Sequence, residues 1–202
     1  TGLDGSAPCH GITAVGSIGF DISLYEIFVP LMNGMFVELT PENALTDPAA
    51  LAKIISAHHA DILHCTPSRL ASYLKLPAFT EVFGGIRAVL SAGEVLLGSF
   101  VNELKKNYGT RIFNGYGPTE TTIGATITED GDNRSIGRPI ANTGLLILNR
   151  NSELIPYGAS GEICIYGAGV GLGYKNLPEI TEKKFCILNG LSIYHTGDLG
   201  YL

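Results

Sequence analysis

The 202-residue chain has no CxxC pair, no Lys/Arg-rich run, no internal repeat and no low-complexity tract. Its four cysteines, Cys9, Cys65, Cys164 and Cys186, stand far apart. That spacing signals neither a zinc cluster nor a compact disulfide framework, so reduced thiols in the cytoplasm are the expectation. Thirteen basic residues against nineteen acidic ones give a net charge of -6 and no electrostatic footprint for nucleic acid. No unbroken apolar run approaches the roughly 18 residues of a membrane span, and no basic-then-apolar leader is seen. Neither nucleic acid nor a membrane is therefore expected as a partner. The first stretch, TGLDGSAPCHG, carries no initiator Met, and the last, GDLGYL, stops in mid-pattern, so both ends read as cut from something longer.

What is present is an apolar content of 45%, enough to bury a real core in one large or two small domains. Over residues 1–126, apolar runs alternate with helix-like patterns, the signature of β-α-β units on a mostly parallel sheet. Strands are expected at SIGFD (17–21), MFVELT (35–40), DILHC (61–65), IRAVLS (86–91) and TRIFN (110–114). Helices are expected at SLYEIFVPLMNG, closed by Gly34, and at DPAALAKIISAHHA, with Asp47 as N-cap, Pro48 at the first helical position and Leu51, Ile54 and Ile55 on one face. Two more follow at TPSRLASYLK and SFVNELKKNYG, the last with Phe100, Val101 and Leu104 inward and ended by Gly109. Over residues 127–202 short apolar strands are separated by Gly, Asn and Pro, as in GLLILNR, GEICIYG and SIYHTGD, with ATITE at the boundary. The expected fold is thus α/β: a flavodoxin-like, mostly parallel sheet with flanking helices, then a small β-rich subdomain of distorted-barrel type. The stretch EDGDNRSIGRP (129–139) is the candidate link between them.

Ligands of doubly wound sheets bind where loops leave the carboxyl ends of strands. NGYGPTETT (114–122) sits at such a place, directly after TRIF. Gly115 and Gly117 let backbone approach a ligand, Thr119, Thr121 and Thr122 offer hydroxyls to phosphate, Glu120 offers a carboxylate to magnesium, and Tyr116 offers a flat ring to a base. A proline turn with solvated threonines explains the same residues, and alone the stretch admits both readings. SAGE (91–94), with Gly93 and Glu94, also follows a strand and carries small residues against which a ring can lie. In YHTGDL (194–199) Asp198 sits on a glycine turn, where a carboxylate suits a ribose diol, although an Asx turn accounts for it equally.

FDIS, NGYGPTETT, GEICIYGAGVGLGY and YHTGDL, in this order and spacing, resemble the core motifs of the adenylate-forming superfamily, specifically amino-acid adenylation domains of nonribosomal peptide synthetases. The resemblance covers the whole chain. It implies activation of an amino acid with ATP and Mg²⁺ to an aminoacyl-AMP, then transfer to the phosphopantetheine thiol of a peptidyl carrier protein. It further implies that Glu120 contacts magnesium, Thr119 the α-phosphate and Tyr116 the adenine face, with Gly93, Glu94, Asn114 and Gly117 around the nucleotide and Asp198 on the ribose. Asp21 of FDIS corresponds to the family's anchor for the substrate α-ammonium; a helix cap is its plainer explanation. The side-chain pocket is implied at Ile22, Tyr25, His64, Leu90, Ala92, Gly115, Ile123 and Gly124.

His64 with an aromatic at Tyr25 is similar to serine-selecting members, while Gly115 and Gly124 leave room for a larger side chain; serine is the first-choice substrate. A core histidine bonded to a backbone carbonyl is the alternative for His64. The family's "ARGY" arginine has no counterpart in Gly171–Leu172–Gly173–Tyr174, and His195 stands where many relatives carry Lys or Arg. By the same resemblance, the lysine-bearing phosphate loop belongs before residue 1 and the mobile C-terminal subdomain after residue 202, so the chain alone is expected to bind weakly and turn over little. Two other classes compete: a stand-alone acyl-CoA synthetase or D-alanine carrier-protein ligase, and a noncatalytic binding module. Asp21→Ala separates the amine-dependent readings from the acyl-CoA one.

Overall fold

A computed structural model describes residues 8–129 and 134–202. The chain groups into two compact units, one of Thr1–Gly115 with Thr128–Gly137, the other of Tyr116–Ile127 with Arg138–Leu202. The candidate link at 129–139 lies partly outside the described residues, because 130–133 do.

The first unit starts with β1 (Gly11–Ala14), α1 (Ile22–Met32), β2 (Phe36–Leu39), α2 (Glu42–Leu45) and α3 (Pro48–His58). Next come β3 (Ile62–His64), α4 (Pro67–Tyr73), α5 (Pro77–Phe83), β4 (Ala88–Ala92), α6 (Gly98–Tyr108) and β5 (Arg111–Tyr116). Local signals set several of these ends. Asp47 accepts a bond from the Ala49 amide with Pro48 behind it, Thr66 caps α4, and Gly109 turns left-handed at φ 68° to end α6. Leu51 and Ile55 point into the core as the periodicity requires, with Leu63, Phe79, Phe83, Val89 and Ile112.

A seven-stranded sheet has the order β2-β1-β3-β4-β5-β6-β7, where β6 is Thr126–Glu129 and β7 Arg138–Pro139. The pairs β1–β2, β1–β3, β3–β4 and β4–β5 are parallel, and β6–β7 is antiparallel. The order 2-1-3-4-5 reverses direction between β1 and β3, and the carboxyl ends of those two strands form the topological switch point where doubly wound sheets take ligands.

Two sequence expectations need correction. The first strand is Gly11–Ala14, all buried, whereas SIGFD forms the exposed turn leading into α1; Ile18 and Phe20 are 79% and 68% exposed. Gly16 and Gly19 interrupt extension there, and burial of GITA between β2 and β3 decides which run becomes the strand. ATITE pairs as β6 with β7 in the seven-stranded sheet rather than in the four-stranded one, although its first half, to Ile127, groups with the second unit.

The second unit carries a four-stranded antiparallel sheet ordered β10-β11-β9-β8: β8 (Thr143–Leu148), β9 (Gly161–Gly167), β10 (Phe185–Leu188) and β11 (Leu191–Gly200). One helix, α7 (Pro178–Lys184), precedes β10. Neither α7 nor β10 was signalled by the sequence patterns. Among the described residues no helix is long and apolar enough to cross a membrane.

Candidate active site

In the first unit, register assembles the pocket residues. His64 pairs with Leu90 across β3–β4, and Ala92 pairs with Gly115 across β4–β5, so His64, Leu90, Ala92 and Gly115 share one sheet face at the carboxyl ends. A Cβ built on Gly115 would lie 3.6 Å from both Ala92 and Leu90. Asn114 pairs instead with Ser91 and belongs to the opposite face, buried at 8% exposure.

The residue that organises this end was missed by sequence reasoning. Glu26, fully buried in α1, accepts a bond from the Gly16 amide at 2.8 Å and meets His64 Nδ1 at 2.8 Å. These contacts join the carboxyl ends of β1 and β3, at the switch point. The Glu26 carboxyl at Nδ1 fixes the orientation of the imidazole and turns Nε2 away from it. That Nε2 is buried without a protein partner. The backbone-carbonyl explanation of His64 is therefore replaced by a glutamate. A charged residue inside the apolar pattern of LYEIF was the available signal for Glu26, since buried carboxylates are rare without a partner.

Asp21 occupies the N-cap position of α1, but its side chain makes no cap hydrogen bond, so capping does not explain it. Ile22 begins α1 and Tyr25 lies one residue before Glu26, both half-buried. Burial pushes the Tyr25 phenol above its ordinary range. Gly93 turns left-handed after β4, and Glu94 accepts from the Ser68 amide at 3.0 Å and its hydroxyl at 2.7 Å. Those bonds hold the exposed Glu94 carboxyl below its usual range.

In the second unit, Tyr116 and Asp198, 82 residues apart, are in contact: the phenol donates to Oδ2 at 2.6 Å. Burial, then this bond, raise the Tyr116 phenol far above its usual range. Gly117 permits the loop to cross itself, because a Cβ there would lie 2.4 Å from the Ala125 amide nitrogen. Thr119 to Thr121 form a 3-10 turn, with the Thr119 side chain exposed. Thr122 and Ile123 then take positive φ of 63° and 73°. For β-branched residues this is strained backbone, which persists where surrounding structure imposes it. Gly124 follows at the crossing with Gly117.

The glycine-rich stretch after β9 supplies that imposition. The Gly171 amide donates to the Glu120 carbonyl at 2.8 Å, and Thr122 Oγ1 donates to the Gly169 carbonyl at 2.7 Å. These ties account for the loop 116–127 grouping with the second unit. Leu172, at the position of the family's arginine, is fully exposed, and at Gly173, the glycine of that motif, φ is +125° and a Cβ would meet Thr181 at 2.3 Å. Tyr174, which sequence reasoning left without a role, donates its hydroxyl to Glu120 Oε1, and Tyr194 Oη lies 3.4 Å from the Tyr174 hydroxyl. Burial disfavours the charged form of Glu120, but these phenol bonds outweigh it and hold the carboxyl below its ordinary range. An ionised carboxylate of this kind is the hard oxygen donor a magnesium ion requires, so the residue fits the ion the resemblance implies.

Residues 5–175 match the family model described as AMP-binding enzyme. Gramicidin S synthase 2 of Brevibacillus brevis is 35% identical over 196 residues, covering 93% of this chain and 4% of that protein. A four-domain nonribosomal peptide synthetase solved with AMP and glycine superposes with a TM-score of 0.83 at 31% identity, over 94% of this chain and 15% of its own. A nonribosomal peptide synthetase protein containing adenylation and PCP domains superposes at 0.82 with 30% identity, over 96% and 35%. The chain thus spans a small part of these relatives' length. The chain therefore belongs to the AMP-binding enzyme family, in the branch that forms nonribosomal peptide synthetase adenylation domains.

Proposed function

We propose that this chain carries the amino-acid pocket and the nucleotide loops of a cytoplasmic adenylation domain that couples an amino acid, serine first, to ATP. The substrate carboxylate attacks the α-phosphorus, the bond to pyrophosphate breaks, and aminoacyl-AMP remains for transfer to a carrier-protein thiol. The observation that carries the substrate choice is the buried, unpartnered Nε2 of His64 at the switch point. A ring nitrogen there matches a hydrogen-bonding side chain such as a serine hydroxyl and penalises an aliphatic one, because it would stay unpaired.

Asp21, at the start of α1, receives the α-ammonium, a carboxylate being the natural partner of that charge. Tyr116 stacks on adenine, Asn114 faces its edge, Asp198 accepts the ribose hydroxyls and Thr119 meets the α-phosphate. The preformed Tyr116–Asp198 contact supports a shared nucleotide role. Glu120 would hold Mg²⁺, which when bound neutralises charge on the phosphates. The solved relative with AMP and glycine and the one containing a PCP domain support the amino-acid substrate and the carrier partner. A screen of the twenty amino acids by ATP/pyrophosphate exchange, on the protein that carries this chain, tests the reading. Serine should give the fastest exchange; exchange driven only by acids lacking an α-amine overturns it.

A further inference from the structure

The second unit holds a cluster that nucleotide chemistry does not use. Cys164 and His195 are paired directly across β9 and β11, and Glu162 lies two residues before Cys164 on the same face. His195 Nδ1 is 3.0 Å from Glu162 Oε2 and 3.4 Å from Cys164 Sγ, and the three ligand atoms all lie within 4.8 Å of one another. The irregularity between His195 and Leu199 lets Glu162 reach both ends of this turn: its Oε1 accepts from the Gly197 amide at 2.8 Å. On the far side of the imidazole, Cys186 Sγ stands 3.5 Å from Nε2.

We propose that Glu162, Cys164 and His195 form a zinc-type cation site, with Cys186 orienting the imidazole from behind. The donor set is carboxylate, thiolate and imidazole, the combination that selects zinc over magnesium or calcium. Tetrahedral bonds of about 2.0–2.3 Å place neighbouring donors about 3.4–3.6 Å apart. The 3.0 and 3.4 Å contacts therefore need to open by only a few tenths of an ångström. Three protein ligands leave a fourth position for water on the side where Glu162 and His195 are 29% and 15% exposed, which is also the way in. Cys186 at Nε2 occupies the place where metal-bound histidines usually find a hydrogen-bond partner. Lys184, the nearby cation, is spent on the His195 and Thr196 carbonyls at 3.1 and 3.4 Å. On binding, the Cys164 thiol gives up its proton to solvent and the sulfur–metal bond forms. No electron transfer is involved.

Metal-free protein titrated with zinc chloride should bind one equivalent at this site, and cobalt(II) in its place should give a thiolate-to-metal charge-transfer band. His195→Gln and Glu162→Gln, both partly exposed and expected to keep the fold by circular dichroism, should each weaken zinc at least tenfold. Cys164→Ser should abolish the cobalt band, and Cys186→Ala should weaken zinc about tenfold as loss of an outer partner does. Cys9→Ser should change nothing. A cluster that serves only as a hydrogen-bonded turn would show no charge-transfer band. That result, or zinc binding untouched by His195→Gln, overturns the proposal, and neither depends on nucleotide binding or exchange activity.

Discussion

Two glutamate–histidine pairs, one from each unit, have nearly equal contact lengths, 2.8 Å for Glu26–His64 and 3.0 Å for Glu162–His195. Their surroundings are not. The Glu26 and His64 side chains are 0% and 8% exposed, and the second imidazole nitrogen has no partner. The Glu162 and His195 side chains are 29% and 15% exposed, with two sulfurs at the ring nitrogens. The same two residue types thus do different work. In the dry pair the carboxyl fixes the ring and leaves a lone, unpartnered nitrogen at the switch point. In the wetter pair the carboxylate braces a turn and completes a set of soft and hard donors.

The largest way to break this contrast is Glu26→Ala, which leaves the buried His64 Nδ1 and the part-buried Gly16 amide without their partner. Unfolding free energy from urea denaturation should fall by about 2–5 kcal/mol. A loss near zero would place the dry pair with the wet one. His64→Leu, which also costs stability by leaving the buried Glu26 with the Gly16 amide, should keep the ATP affinity of the folded protein but cut serine-dependent exchange about ten- to hundredfold, about 1–3 kcal/mol of lost pairing. Equal loss for every amino acid would show that His64 only packs. Glu162→Ala, in metal-free protein, should cost at most about 1 kcal/mol, since water replaces a partly exposed carboxylate.

The smallest effect is a pH dependence confined to the second unit. Glu120 titrates below its ordinary value in the folded chain, so its contribution to stability is complete above the unfolded carboxylate range of about pH 4.3. It is lost as pH falls through the lowered folded value. Glu120→Gln should therefore flatten the acid limb of stability against pH and leave the curve unchanged near neutrality. A changed slope near neutrality instead would assign that limb to another group.

Sequence alone determined the features whose cause is short-range. The Asp47–Pro48 start of α3 and the Gly109 end of α6 follow from one side-chain bond, one fixed φ and one absent Cβ within a few residues. The motif loops were legible because turn residues and carboxylates declare themselves locally. Tertiary structure decided what depends on contacts far apart in the chain: which of GITA and SIGFD becomes β1, that ATITE completes the seven-stranded sheet, and that Tyr174 steadies Glu120 over 54 residues. It also paired Glu26 with His64 over 38 residues and Tyr116 with Asp198 over 82. Burial and strand register set those partnerships. Neither can be read from a residue's own neighbours, because a one-residue slip turns every side chain to the other face.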